Sequence, residues 1–478
     1  MRHRPFYSAT IAWLLLYAAW SGPANAVPAF NRQTGQNCVA CHAGGQYPDL
    51  TPYGRMFKLT GYTIGERALP LAAMAVASYN KTKNTGSPDP GFDGPANFPK
   101  DGNLIFQTAS LFLAGKVTDN IGGFVQITYN NYDAQNPINS RWQGHTTSDN
   151  LDIRYVDRFI RPGSDLIVGA MMNNNPTVQD VWNSVPAWGY NVVPGSTGPA
   201  STPLLAGGLA QSAAGLGAYV YWNKTVYAEF SSYRTANGIW SFMSQGINTA
   251  RGSQVFLKGE NPYWRIALNK EWGPHSAMIG ASGLNAKVYP DPLDPSGPTS
   301  RFRDVGVDAQ YQYILDPHAL TVTASYVSER VTFADSLAGQ PHPLDPDGTL
   351  GLPLTNASDT LKMFRAKASY VYYARYGGSL SFFNITGSTD AALQTSAFDP
   401  GNPGALLDGS QSVTGSLAGN PATRGWTTEL FFIPVQYVRV GVQYSMFDKF
   451  NGGKNNYDGF GRNAKDNNTV FVYLWTSF

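Results

Sequence analysis

Cysteine is almost absent from this chain: Cys38 and Cys41 are the only two in 478 residues. In an exported protein such a pair first suggests one disulfide, a reading that the residue after Cys41 alters. Charge is also scarce. Asp, Glu, Lys and Arg make up 14% of the sequence, against roughly 25% in ordinary soluble domains. The formal charge of +2 is close to balance and gives no reason to expect nucleic acid as a partner. Past the N-terminus no apolar run approaches the roughly 18 residues that a membrane helix requires, so a helical membrane protein is excluded. No repeat of about 40 to 50 residues marks a propeller. No grouping of nucleophile, base and oxyanion donors marks an acid–base enzyme, so an enzymatic label would rest on electron transfer alone.

What the chain does have is 50 Gly, 27 Tyr, 25 Phe and 11 Trp. Many aromatics and small residues with little charge suit short strands that place one face in lipid. Residues 1–26 read as a secretory signal. Arg2, His3 and Arg4 form the basic start, Ile11 to Trp20 the apolar stretch, and Ala24-Asn25-Ala26 the cleavage site. The mature chain is then expected to begin at Val27, outside the cytoplasm.

From about residue 68 onward the pattern is that of paired strands. Val305, Val307, Ala309, Tyr311 and Tyr313 alternate with Asp304, Gly306, Asp308, Gln310 and Gln312. Val438, Val440, Val442, Tyr444 and Met446 alternate with Arg439, Gly441, Gln443 and Ser445. A period of two over such lengths predicts strands with one apolar face. Tight turns are expected at 118–120, 161–164, 223–224, 273–274, 316–317, 375–377 and 433–435. Longer loops are expected at 81–101, 132–149, 173–213, 234–262, 331–359, 389–423 and 448–468. Alternation of short and long connections is how outer-membrane barrels are built, with short periplasmic turns and long extracellular loops. The fold class is therefore all-β, a transmembrane antiparallel barrel of about 16 strands over 68–478. The final strand ends at Phe478, which resembles the assembly signal of such barrels.

Cys38-Val39-Ala40-Cys41-His42 is the attachment pattern for a c-type haem. Two thiols at this spacing reach the two vinyl groups of one porphyrin, and the adjacent His42 supplies the proximal iron ligand. A short disulfide loop or part of a zinc site are the competing readings, although zinc would usually want four protein ligands. For the opposite axial position the sequence offers Met56, Met74, His145, His275, His318 and His342. Met56 has the blander alternative of packing near Phe57 and Leu59. Residues 27–67 form the haem-bearing segment and lie near the lower size limit for independent folding. Such a segment is expected to tuck into or against the periplasmic mouth of the barrel.

The run Pro28-Ala29-Phe30-Asn31-Arg32-Gln33-Thr34-Gly35-Gln36-Asn37 leads into the haem motif. It is followed by Pro48-Asp49-Leu50-Thr51-Pro52-Tyr53-Gly54-Arg55-Met56-Phe57-Lys58-Leu59-Thr60-Gly61-Tyr62-Thr63. Together these closely resemble the fused outer-membrane monohaem cytochrome–porins of iron-oxidising bacteria. Beyond this dense match the likeness is one of length, strand count and domain order. The resemblance implies one covalent haem c and an electron taken from ferrous iron, or another reduced donor, outside the cell. It also implies a periplasmic electron carrier, a cytochrome or a cupredoxin, as the acceptor, and outer-membrane lipid around the wall. Arg32, Arg55 and Lys58 fall in the matched runs and are expected either to pair with the haem propionates or to face the polar lumen. Loop aspartates Asp89, Asp93, Asp291, Asp294, Asp345, Asp347, Asp399 and Asp408 offer oxygen ligands for iron, but also read as turn punctuation. A diffusion porin with a structural or sensing haem is the alternative function.

Overall fold

The computed structural model describes residues 28–45, 49–84, 101–135, 142–184, 202–245, 255–342, 345, 347–349, 351–394, 398–399, 402–406, 415–459 and 461–478. The expected signal over 1–26 lies outside these, as do Asp89, Asp93, Asp408 and the side chain of Asp399. Three short helices come first: α1 (Pro28–Thr34), α2 (Cys38–Cys41) and α3 (Pro52–Leu59). The strands that follow are β1 (Leu71–Thr82), β2 (Leu104–Lys116), β3 (Ile121–Gln135), β4 (Trp142–Arg161), β5 (Ser164–Asn173) and β6 (Ala213–Trp222). Next come β7 (Val226–Thr235), β8 (Asn261–Trp272), β9 (His275–Val288), β10 (Ser300–Leu315), β11 (His318–Thr332) and β12 (Ser358–Tyr372). The last are β13 (Tyr376–Gly387), β14 (Phe398–Asp399), β15 (Asn402–Leu406), β16 (Thr423–Val435), β17 (Val438–Lys449) and β18 (Thr469–Ser477).

β14 and β15 make a small separate sheet, and the other sixteen strands close into one barrel with β1 paired to β18. Every neighbouring pair in the barrel is antiparallel, so an even strand count brings the first and last strands to the same end. That end carries the tight turns, and the long connections occupy the other.

Two turns fall elsewhere than expected. β12 and β13 are joined by 373–375, where Tyr373 and Ala374 take φ of 53° and 50°. The turn expected at 433–435 lies instead at Gln436 and Tyr437. Pro434 remains within β16 at a register shift between Phe432 and Val435, where its missing N–H costs no ladder bond. The loop expected over 132–149 is also shorter, because β3 and β4 stay paired out to Gln135↔Trp142. Ladder pairing there overrides the weak strand propensity of Asn and Asp.

The burial pattern is inverted relative to a soluble protein. On β10, Val305 and Val307 are 54% and 51% exposed, while Asp304 and Gln312 are 2% and 0%. Apolar residues on the outer wall and polar ones inside are what a barrel standing in lipid requires. Near the tight-turn end the outer wall carries aromatic pairs. Trp272 stacks on His275 at 5.5 Å, His318 lies 5.5 Å from Tyr372, and Tyr376 stacks on Phe432 at 5.2 Å. Rings of this kind mark the interface level of a membrane barrel.

Candidate functional site

Cys38 and Cys41 sit on the single turn of α2, closed by His42 N–H donating to the Cys38 carbonyl at 2.8 Å. Positions three apart share one face of a helix, so both thiols are presented together. They are half-buried and not bonded to each other. Burial pushes the Cys38 thiol up to about 12 and Cys41 to about 11, so both are neutral at ordinary pH. His42 is half-buried with its Nδ1 enclosed, and burial brings it down to about 4, partly offset by Asp49. Its imidazole is therefore neutral, which is the form that binds a metal. Two adjacent thiols and a neutral imidazole are the donor set that a c-type haem needs.

Helix α3 holds this turn in place. Thr51 caps it, its hydroxyl accepting from Gly54 N–H at 3.1 Å, and Pro52 occupies the first helical position. Thr51 N–H donates to the Cys41 carbonyl at 2.9 Å. A Cβ added at Gly54 would stand 2.1 Å from the Cys41 carbonyl oxygen, so only glycine lets α3 lie against the cysteine turn. His42 in turn forms a β-bridge with Leu50.

Strands all round the barrel reach inward to hold the segment. Arg55 donates to Gln312 at 2.6 Å, to the Leu50 carbonyl at 3.1 Å and to Glu271 at 3.3 Å. Gln312 donates to the same Leu50 carbonyl at 3.0 Å. Ser369 on β12 donates to Asp49 at 3.2 Å, and Tyr219 on β6 to the Leu59 carbonyl at 2.6 Å. Tyr62 donates to Asp152 on β4 at 2.7 Å. At the β16–β17 turn, the Cys38 thiol donates to the Gln436 carbonyl at 3.4 Å. Phe30, Phe57 and Tyr62 form a small aromatic core, with ring centroids 5.0 to 5.7 Å apart. Residues 28–45 and 49–62 thus lie across the tight-turn mouth and into the lumen.

Part of the connection between β5 and β6 also fills the lumen. Over 173–213 the sequence suggests a long outer loop, but residues 174–184 and 203–212 fold inward. Val178, Val181, Trp182, Leu205 and Leu209 are all essentially inaccessible. Asp180 lies 3.4 Å from Arg265, which is clamped at 2.8 Å by Asp308, and Lys58 donates to the Val178 and Asp180 carbonyls at 2.7 and 2.8 Å. Backbone N–H groups of Leu204 and Leu205 donate to Glu329 and Asp304, each at 2.6 Å. Burial of these apolar residues drives the inward course, and lumen carboxylates satisfy the backbone that goes with them. The signal was present: large apolar residues within an otherwise loop-like stretch.

The predicted site residues separate accordingly. Arg55 and Lys58 are buried and engaged by barrel and loop groups, whereas Arg32 is exposed and donates to the Leu69 and Leu71 carbonyls. Met56 packs against a cluster that includes Leu59, Val156 and Trp182. Met74 lies within β1. His275 and His318 sit on the outer wall against the hydroxyls of Tyr311 and Tyr370, at 2.8 and 2.7 Å. His145 and His342 belong to the long-loop end. All four histidines therefore stand on the wrong side of the wall, or at the wrong end, to meet a group bound at Cys38 and Cys41. Asp291 and Asp347 accept from the backbone of Leu293 and Thr349, and buried Asp345 from Leu352. Among the described residues no group of three or more His, Cys, Asp or Glu is placed to hold a metal ion.

No protein-family model matches the chain, and no curated protein matches it. Among solved structures it is similar to the outer-membrane channel DcaP of Acinetobacter baumannii, at 13% identity and a TM-score of 0.43, over 85% of this chain and 96% of that one. It is also similar to OmpF of Salmonella typhi, at 13% identity and a TM-score of 0.46, over 85% and 97%. A third is the anion-selective porin from Comamonas acidovorans, at 10% identity and a TM-score of 0.41, over 85% and 98%.

Proposed function

We propose that the chain is an outer-membrane electron conduit that carries one covalent haem c at the periplasmic mouth of its barrel. Its donor is extracellular ferrous iron, and its acceptor is a periplasmic cytochrome or cupredoxin. The observation that carries this reading is that the Cys38–His42 turn is backed by α3, which side chains from β4, β6, β8, β10 and β12 hold with its flanks inside the barrel mouth. A barrel wall has no redox group of its own, and a bound haem supplies a one-electron couple matched to that of iron.

The residues of the chain do the positioning. Cys38 and Cys41 would hold the porphyrin through thioethers, and His42 would offer its imidazole to the iron. Leu50, gripped by Arg55 and Gln312, fixes His42 through their β-bridge. Trp182, Leu205 and Leu209, with the Arg265–Asp308 clamp, fill the β4–β11 half of the lumen. Solutes are thereby kept out of that half.

One observation favours the second reading, a diffusion porin. Lumen-facing Arg365 and Lys367 on β12 remain half-exposed, so water reaches the other half of the lumen. Two measurements decide. Stopped-flow mixing of ferrous iron with the oxidised, purified protein is expected to reduce the haem within a turnover, with other donors slower. Liposomes holding the protein are expected to stay tight to small sugars while an internal acceptor is reduced. Leakage without haem reduction would leave the porin reading.

A further inference from the structure

At the long-loop end of the outer wall, β9 to β12 carry a cluster of positive charge that the conduit reading does not use. Arg303 stands directly opposite Arg330 in the β10–β11 register, and Arg301 directly opposite Lys287 in the β9–β10 register. Lys362 lies one strand further on, opposite Ser328. By strand alternation all five point away from the lumen, on the same face as Val305 and Val307, and all five are exposed. Among the described residues none of the three arginines has a carboxylate within salt-bridge distance. Asp304 and Glu329, next along the β10–β11 register, face the lumen, and Glu260, just before β8, is taken by Ser232 at 2.8 Å and Arg234 at 3.7 Å. Arg301, Arg303, Arg330 and Thr332 line a groove of about 300 Å³.

Like charges directly opposite each other on a sheet repel, so this arrangement is unfavourable without an anion. The cluster caps an apolar band containing Val305, Val307 and Ile279, which are 51% to 63% exposed. It therefore lies where acyl chains give way to headgroups. Guanidinium forks suit phosphate, which they engage through paired hydrogen bonds. The geometry points to a docking site for the phosphorylated headgroup of an outer-leaflet lipid, with the acyl chains lying on the band below. This inference rests on the membrane placement of the barrel and is independent of the haem.

The test uses the full-length protein in neutral detergent, titrated with a bisphosphorylated glucosamine lipid (lipid A) and with the same lipid stripped of phosphate. Native mass spectrometry reads the bound lipid. The wild type is expected to prefer the phosphorylated lipid. The triple variant Arg301→Gln, Arg303→Gln, Arg330→Gln is expected to lose about tenfold or more in that binding, since it removes the charge-assisted forks that would grip the phosphate. Lys270→Gln, an exposed cation at the opposite end, is expected to bind as the wild type does. Heat-dependent gel mobility checks that each variant is folded, and Arg330→Gln alone serves if the triple variant is not. Equal binding of the dephosphorylated lipid, unchanged binding by a folded variant, or displacement by inorganic phosphate at the lipid's own concentration would each overturn the proposal.

Discussion

At the scale of single residues, the cysteine turn shows how narrowly its surroundings constrain it. Gly54 contacts a backbone carbonyl, not a side chain that could swing aside. Gly54→Ala is therefore expected to weaken docking of α3 by about 1–3 kcal/mol, the usual cost of overpacking. Hydrogen exchange would register this as faster exchange over 49–62 with the barrel strands unchanged. Cys38→Ser and Cys41→Ser would each remove one of the two thioethers that the proposal requires. Mass spectrometry of the double variant is expected to show the polypeptide alone, and of the wild type the polypeptide plus one porphyrin. The Cys38–His42 spacing behind the haem proposal is legible in the sequence, because that pattern is local. The engagement of Arg55 and Lys58 was not, because their partners lie on β8, β10 and an inward loop far away in the chain.

Among elements, the inward run of 174–184 is the least expected feature. It brings Asp180 and Trp182 to Arg265 and Asp308, so charge, aromatic surface and backbone are buried together. Asp308→Ala would leave Arg265 enclosed with Asp180 alone, 3.4 Å away. Breaking a buried pair in this way is expected to cost about 3–5 kcal/mol, measurable as a lower guanidinium midpoint. Trp182→Ala removes the largest side chain of the fill and is expected to cost a similar amount, about 3–5 kcal/mol. In planar bilayers it should also raise conductance, whereas a lumen already open to ions would show no increase. Strands such as β10 and β17 were readable because a period of two is imposed by the pleat itself. The proline of β16 and the extended β3–β4 hairpin were misread because pairing with a neighbouring strand outweighed what the local residues prefer.

For the molecule as a whole, sixteen strands place both barrel ends, the tight turns and the cysteine segment on one side. A tag after Asp119, which is 92% exposed in its turn, is therefore expected to be reached only after cells are permeabilised. A tag beside Leu293 in the β9–β10 loop, 63% exposed, should label on intact cells. The reverse pattern would invert the proposed orientation and separate the haem from its periplasmic acceptor.

The sequence alone determined the strand periodicity and the alternation of short and long connections, and the spacing of Cys38, Cys41 and His42 on which the haem proposal rests. Each of these is written in residues a few positions apart. Only the tertiary structure decided that the cysteine segment is held across the barrel mouth and that half the lumen is filled by a connection between two strands. Such contacts join residues a hundred or more positions apart, and a pattern of side chains along one chain does not say which polar lumen group meets which inward-folded backbone.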